Sequence, residues 1–376
     1  MRTFFPGRRS LLPDNAVSTH LACTYLHGFT MVFSQVLRYN WHMGKITLFS
    51  HAKINLSLDI EGIRPDGYHA VRMVLQSLRL CDQLSFHLST ASAGEGEPGA
   101  DPAGPFCIRI TSDSESIPSD SRNIVHKAAS LIFREIYRLI PELPPMRLDV
   151  HIRKIIPVAA GLAGGSGNGA AMITALTDPK LWRKTGFCGP RLETALKELD
   201  TADLALKTGA DVPYCMKGGT MLAEGVGEVL TPLVPGFPEG IPLLLVKPPF
   251  GISTAAAYAA YDQLTPDPAS RPDTEQLCRA IREKDLPGCL RLMKNVLEIT
   301  AMESHEEIGQ IKKTLYELGA LGAMMSGSGP TVFGMFGSAA EARKAWHGRS
   351  LFPPGSRILL TATAAGGVTR ARLSHR

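Results

Sequence analysis

Ile156-Pro157-Val158-Ala159-Ala160-Gly161-Leu162-Ala163-Gly164-Gly165-Ser166-Gly167-Asn168-Gly169-Ala170 stands between a strand-like segment and a helix-tolerant one. Upstream, Met146–Ile155 puts Leu148, Val150 and Ile152 at every second position, the alternation of a half-buried strand. Downstream, Ala170–Leu176 is apolar and tolerates a helix. The glycines therefore lie in a strand-to-helix turn. Glycine lets backbone N–H groups approach a ligand with no Cβ in the way. The helix that opens after Ser166 offers unpaired N–H groups and the positive end of its dipole. A phosphate fits such a place.

On glycine spacing alone, a ligand-free turn is an equal reading. Two other phosphate loops are excluded by the residues downstream. A Walker loop needs Lys-Ser/Thr after its last glycine, and Asn168-Gly169 stands there. A dinucleotide fingerprint needs an acidic residue ending a second strand roughly 20 residues on. That region, from Asp178 to Lys184, reads as a loop.

The chain of 376 residues has room for two cores. Its net charge of +5 is concentrated at the ends. Arg2, Arg8, Arg9 and Arg38 face one acid, Asp14, before Met43, and Arg370, Arg372 and Arg376 face none after Gly366. The body between is near neutral, which argues against a nucleic-acid surface. Cys23, Cys81, Cys107, Cys188, Cys215, Cys278 and Cys289 are scattered without C-x-x-C spacing, so they read as free thiols of a reducing compartment.

Residues 1–42 lack periodic apolar pattern, and Leu21–Leu37 is interrupted by His27, Gly28, Ser34 and Gln35, a poor membrane span. We expect a disordered or non-native extension, with Met43 the natural start. Organelle targeting is the disfavoured alternative. Strands are expected at Ile46–Ile60, Met73–Leu80, Gln83–Leu88 and Phe106–Ile110, and a helix at Asn123–Ile140. Ser89–Pro105 reads as a loop, and Arg191–Lys207 as one helix. After a Pro- and Gly-rich boundary at Pro232–Pro242, further strands and helices alternate, including one helix at Leu286–Leu297.

Four short stretches carry candidate chemistry. If Ile54 and Leu56 enter the core, Lys53 and Asn55 share the opposite face of a strand, which then lines a cleft; a solvated lysine is the bland alternative. Asp211 lies between Ala210 and Val212-Pro213, and for an arbitrary Asp a helix cap is the plainer reading. Tyr68-His69 follows the turn Pro65-Asp66-Gly67. Met325–Thr331 is a second glycine-rich loop between two strands, which a tight hairpin alone would explain.

Pro157–Ala170 resembles the second motif of the GHMP small-molecule kinases, and its form is similar to that of the branch acting on 4-diphosphocytidyl-2-C-methyl-D-erythritol (CDP-methylerythritol). The resemblance runs from about Met43 to Thr363, through Ala52–Leu58, Asp66–His69, Pro157–Ser166 and Gly209–Pro213 in order. The family continues Ser-Ser/Thr-Asn/Asp-Ala-Ala where this chain has Ser166-Gly167-Asn168-Gly169-Ala170. The implied fold is α+β in two domains: residues 43–236 with a left-handed βαβ unit, and residues 237–365 with a ferredoxin-like layout, followed by a basic tail at 366–376.

The resemblance implies phosphorylation of the 2-hydroxyl of CDP-methylerythritol by ATP with Mg²⁺, a step of the non-mevalonate isoprenoid route. Asp211 matches the base, and Lys53 the cation beside it that helps hold the hydroxyl. Residues 157–167 match the ATP-phosphate loop, with Asn123 and Lys127 near the nucleotide base. Asn55, Tyr68, His69, Leu75, Thr254 and Tyr258 match the substrate pocket, where Tyr68 would stack on cytosine, His69 bond its edge, and Leu75 offer an aliphatic face to the stack. Other GHMP kinases, of homoserine or mevalonate type, and a non-catalytic nucleotide-binding member are the alternatives. A bacterial cytoplasmic monomer or weak homodimer is expected, with no membrane or nucleic-acid partner.

Overall fold

The computed structural model describes residues 45–91, 104–264 and 268–370. The expectation for residues 1–42, and most of the Ser89–Pro105 loop, lies outside them. Lys45–Ile63 (β1) and His69–Thr90 (β2) form a long antiparallel hairpin. One 22-residue strand replaces the two expected between Met73 and Leu88. The polar break at Cys81-Asp82 does not end it, because these residues stay in register with His51 and Ser50 and the Asp82 carboxylate has backbone partners.

Phe106–Ser112 (β3), Ile124–Leu139 (α1) and Met146–Arg153 (β4) make a parallel crossover unit. Helix α1 buries Val125, Ala128, Ala129, Ile132, Phe133 and Ile136, the stripe expected of a 3.6-residue period. Gly164–Leu176 (α2) follows the glycine loop and from Gly167 onward is buried except at Thr174, as befits a helix that enters the core. Next come Pro179–Trp182 (α3), Pro190–Glu198 (α4), Thr201–Thr208 (α5) and Val212–Lys217 (α6). The single helix expected at 191–207 is broken because Asp200 caps a new one, accepting from Ala202 and Asp203 N–H. Thr220–Glu224 (β5) pairs with β2 and with Val229–Pro232 (β6).

The remaining elements are Pro242–Lys247 (β7), Thr254–Tyr261 (α7), Thr274–Arg282 (α8), Leu286–Leu292 (α9), Lys294–Asn295 (β8), Leu297–Ser304 (α10), Glu306–Glu317 (α11), Gly322–Met325 (β9), Val332–Met335 (β10), Ala339–His347 (α12), Arg357–Ala362 (β11) and Val368–Arg370 (β12). Four of them form an antiparallel sheet in the order β11-β7-β10-β9. With helices between β7 and β9 and between β10 and β11, this is the ferredoxin-like layout.

Two short strands return to the first sheet. β8 adds in parallel to β1 at Ser57 and Leu58, so the helix expected at 286–297 stops at Leu292. β12 adds antiparallel to β1, with His51 Nε2 and Thr369 Oγ1 3.0 Å apart and Arg370 paired to Asp178. The start of the expected basic tail is therefore sheet. Among the described residues, no helix is long and apolar enough to cross a membrane.

Candidate active site

The alternation read from β1 holds. Ile54 and Leu56 are buried with Leu243, Leu245 and Phe333 of the second sheet. Lys53 and Asn55 take the other face, with Lys53 Nζ donating to Asn55 Oδ1 at 2.8 Å. The ammonium lies 4.0 Å from Asp211 Oδ2. Asp211 precedes α6, where a carboxylate would ordinarily cap, yet it makes no cap bond. Its side chain is 33% exposed and that of Lys53 only 6%. A cation held firmly thus stands beside a carboxylate that is open to a ligand.

The first glycine loop rises from a buried ion pair that no local sequence pattern signals. Lys154 Nζ donates to Asp82 Oδ2 at 2.7 Å and to Ile156 O, and Asp82 Oδ1 accepts from Ile155 and Ile156 N–H at 2.7 and 2.8 Å. Burial pushes the Lys154 ammonium below its usual range, and the Asp82 charge opposes that. Beyond it, Pro157 and Ala160 are buried while Val158 and Ala159 are exposed. Ala159 and Ala163 hold left-handed backbone, φ 49° and 54°, at a cost of about 1–2 kcal/mol each; such strain gathers at ligand sites. The first helical bond recorded at the start of α2 is Gly167 N–H to Ala163 O at 2.8 Å, so the N–H groups of Gly164, Gly165 and Ser166 precede it at the helix N-terminus.

The two departures from the family pattern face inward. A Cβ at Gly167 would stand 3.3 Å from Ser50 Cβ, and one at Gly169 would stand 3.1 Å from Thr208 Cγ2 and 3.4 Å from Ile124 Cγ1. Neighbouring side chains occupy the room that a larger residue would need at either position.

The second glycine loop closes on the first. A Cβ at Gly161 would fall 2.1 Å from Ser326 O, and Ser326 Oγ donates to Gly161 O at 3.0 Å. Gly327 has φ +58°, and a Cβ on it would sit 3.2 Å from Lys53 Nζ and 3.5 Å from Asn55 Oδ1. Thr254 Oγ1 meets Ser328 Oγ at 3.0 Å, which joins α7 to the same loop.

At the far end, Tyr68 is 67% exposed on the turn between β1 and β2. His69 Nε2 stands 2.8 Å from Asp262 Oδ1, and its ring lies 4.7 Å from that of Tyr258 at a tilt of 47°. Burial pushes the Tyr258 phenol up to about 12, and the nearby Asp211 charge adds to this. Tyr258 therefore keeps its proton at neutral pH, with its ring against that of His69. Asp262 escaped the sequence reading; its place one turn beyond Tyr258 was the available signal.

Three expected residues are fully buried or already engaged by the protein's own groups. Leu75 is fully buried, directly opposite Asn55 of β1 and Met221 of β5, so its side chain shares the face of the sheet that carries Asn55. It is six residues along β2 from His69, about 20 Å at strand rise. Asn123 caps α1, accepting from Val125 N–H at 3.0 Å and donating to Pro118 O at 2.7 Å. Lys127 Nζ donates to Thr208 O at 3.2 Å. Ile124 between them lies against α2, so both flank the loop helix.

Among the described residues no group of three or more His, Cys, Asp or Glu is placed to hold a metal. Oxygen donors are available in the Asp211 carboxylate and the Ser166 hydroxyl at the start of α2. A carboxylate and a hydroxyl are donor types that Mg²⁺ takes together with substrate phosphates.

The GHMP kinases N terminal domain family matches residues 123–219, and the GHMP kinases C terminal family residues 277–350. The chain is 42% identical over 307 residues, 81% of its length and 95% of the relative's, to the 4-diphosphocytidyl-2-C-methyl-D-erythritol kinase of Acetivibrio thermocellus. A crystal structure of 4-(cytidine 5'-diphospho)-2C-methyl-D-erythritol kinase aligns with TM-score 0.62 at 25% identity, over 85% of this chain and all of that one. A homoserine kinase from Cytophaga hutchinsonii aligns with the same score at 18% identity, over 89% of this chain and all of that one, a likeness of fold alone.

Proposed function

This chain belongs to the GHMP kinases, in the branch of the 4-diphosphocytidyl-2-C-methyl-D-erythritol kinases, and from that premise we propose that it transfers the γ-phosphoryl group of ATP to the 2-hydroxyl of CDP-methylerythritol. The product serves the non-mevalonate route to isopentenyl diphosphate. The observation that carries the site assignment is the Lys53–Asp211 pair, 4.0 Å apart beneath two interlocked glycine loops.

Phosphoryl transfer needs positioned phosphates, cations against their charge, and a hydroxyl relieved of its proton. Backbone N–H groups at Gly164–Ser166 bind the ATP phosphates at the head of α2. Ser166 and Asp211 would hold Mg²⁺ together with the phosphate oxygens, and the ion would neutralise charge there. Asp211 accepts the proton from the 2-hydroxyl, and Lys53 orients that hydroxyl. Tyr68 stacks on the cytosine. His69, whose Nε2 is engaged by Asp262, meets the base with the rest of its ring. Asn55, Thr254 and Tyr258 line the space between, and Asn123 and Lys127 support the adenine end.

Because a homoserine kinase shares the fold, substrate choice rests on the Tyr68–His69 end. The test is ATP consumption with CDP-methylerythritol, mevalonate and homoserine side by side. We expect turnover with the first alone. Preference for mevalonate or homoserine would overturn the substrate assignment.

A further inference from the structure

We infer that Asn295 is a positioning residue for phosphoryl transfer: it holds the second glycine loop over Lys53 and so sets where the ammonium meets Asp211 and the phosphates. This rests on the roles proposed above for Lys53 and Asp211.

Asn295 ends the two-residue strand β8, in register with Leu58 of β1, the strand that carries Lys53 and Asn55. The attachment continues in Val296 N–H, which donates to Leu58 O at 3.0 Å. The Asn295 residue is only 4% exposed. Its Nδ2 group donates to Met325 O at 2.9 Å and to Gly327 O at 2.8 Å, and its Oδ1 accepts from Leu297 N–H at 3.0 Å. The orientation of the amide is fixed by these partners, since a flip would turn its oxygen onto two carbonyls. Glu298 adds a third hold, accepting from Met325 N–H at 3.0 Å while Lys312 Nζ donates to its other oxygen at 2.7 Å.

A helix start needs only an acceptor, and Ser or Asp would cap Leu297 as well as Asn does. What Asn alone adds among these is the NH₂ group, and both its hydrogens go to the loop. That loop is the segment whose Gly327 packs against Lys53 and whose Ser326 locks onto Gly161. Asn295 therefore ties β1 to the loop covering β1's own lysine, within one short circuit of hydrogen bonds. A loop displaced by an ångström would move its contacts with Lys53 and the first loop together, and misplacement of that size costs on the order of 10²-fold in rate.

Asn295→Ser keeps an acceptor for Leu297 and replaces the two-hydrogen amide by one shorter hydroxyl, so the paired donation to Met325 O and Gly327 O is lost without adding charge. We expect kcat to fall roughly 10²-fold, with KM for ATP and for CDP-methylerythritol within a few-fold. In a Lys53→Ala background the same substitution should change kcat much less, because the effect passes through Lys53. An unchanged kcat, or the same fold loss in both backgrounds, overturns the inference and leaves a purely structural amide. Should Asn295→Ser not fold, Asn295→Asp also lacks the donors and is read in the same cycle. A second readout needs no turnover. In protein carrying ¹³Cε-lysine, the Lys53 resonance, identified by its loss in Lys53→Ala, should move in Asn295→Ser while that of Lys154 stays. An unmoved Lys53 signal contradicts the inference whatever the alcohol substrate is. Failure of the unaltered chain to phosphorylate CDP-methylerythritol would count against the proposed function alone.

Discussion

The loop at residues 157–167 runs from a strand into a helix, whereas the loop at residues 325–331 runs between two neighbouring strands of the second sheet. At the first, backbone N–H groups head α2 and Gly165 is exposed, with only Ile124 Cγ2, at 3.8 Å, within 4 Å of where its Cβ would be. At the second, the protein's own side chains take the backbone: Asn295 bonds the carbonyls of Met325 and Gly327, and Glu298 the N–H of Met325. Both are rich in glycine, but for different reasons. Gly165 faces open space, while Gly327 leaves room for Lys53. Glycine content therefore finds both loops without telling an open backbone from one held by the protein's own side chains; the hydrogen-bond partners do that.

The sharpest way to break this pairing is at its point of contact. Gly161→Ala would place a methyl 2.1 Å from Ser326 O at a backbone φ of +71°. Overpacking costs about 1–3 kcal/mol, and the left-handed backbone about 1–2 kcal/mol more. We expect a clear fall in melting temperature and, in the protein that remains folded, a loss of kcat as the two loops part. A melting temperature and kcat matching those of the unaltered chain would show that the loops do not depend on each other.

Gly165→Ala gives a smaller effect of the opposite kind. Its Cβ meets nothing closer than 3.8 Å in the protein, so melting temperature should hold or rise slightly. Affinity for ATP should drop on the order of tenfold, a loss of about 1.4 kcal/mol, measured by calorimetric titration. Loss of stability with unchanged ATP affinity would mean that this glycine serves the fold.

The legible part of the sequence divides along the same line. The strand–glycine–helix sequence, the period of α1, the faces of β1 and the alternation behind the four-stranded sheet are local patterns, and each appears in the structure. The Asp82–Lys154 seat, the Asp262 partner of His69 and the Asn295 clamp were not legible, because each joins segments far apart in the chain. Asn295-Val296-Leu297-Glu298 does carry the pattern of a helix start, which a break at Leu292 would have revealed. Leu75 was legible only through the family pattern. A matching position suggested a pocket wall, and in a strand flanked by β1 and β5 the side chain is fully buried on the face that carries Asn55.

The central claim is that Asp211, left uncapped and open beside Lys53, takes the proton from the attacking hydroxyl. Asp211→Asn keeps the size and most of the hydrogen-bonding capacity of the side chain and removes the base. Single-turnover transfer from ATP to CDP-methylerythritol, with the binding of both substrates measured separately, tests it directly. The account predicts a rate lower by roughly 10²–10⁴-fold with both substrates still bound; an Asp211→Asn chain within a few-fold of the unaltered rate would contradict it.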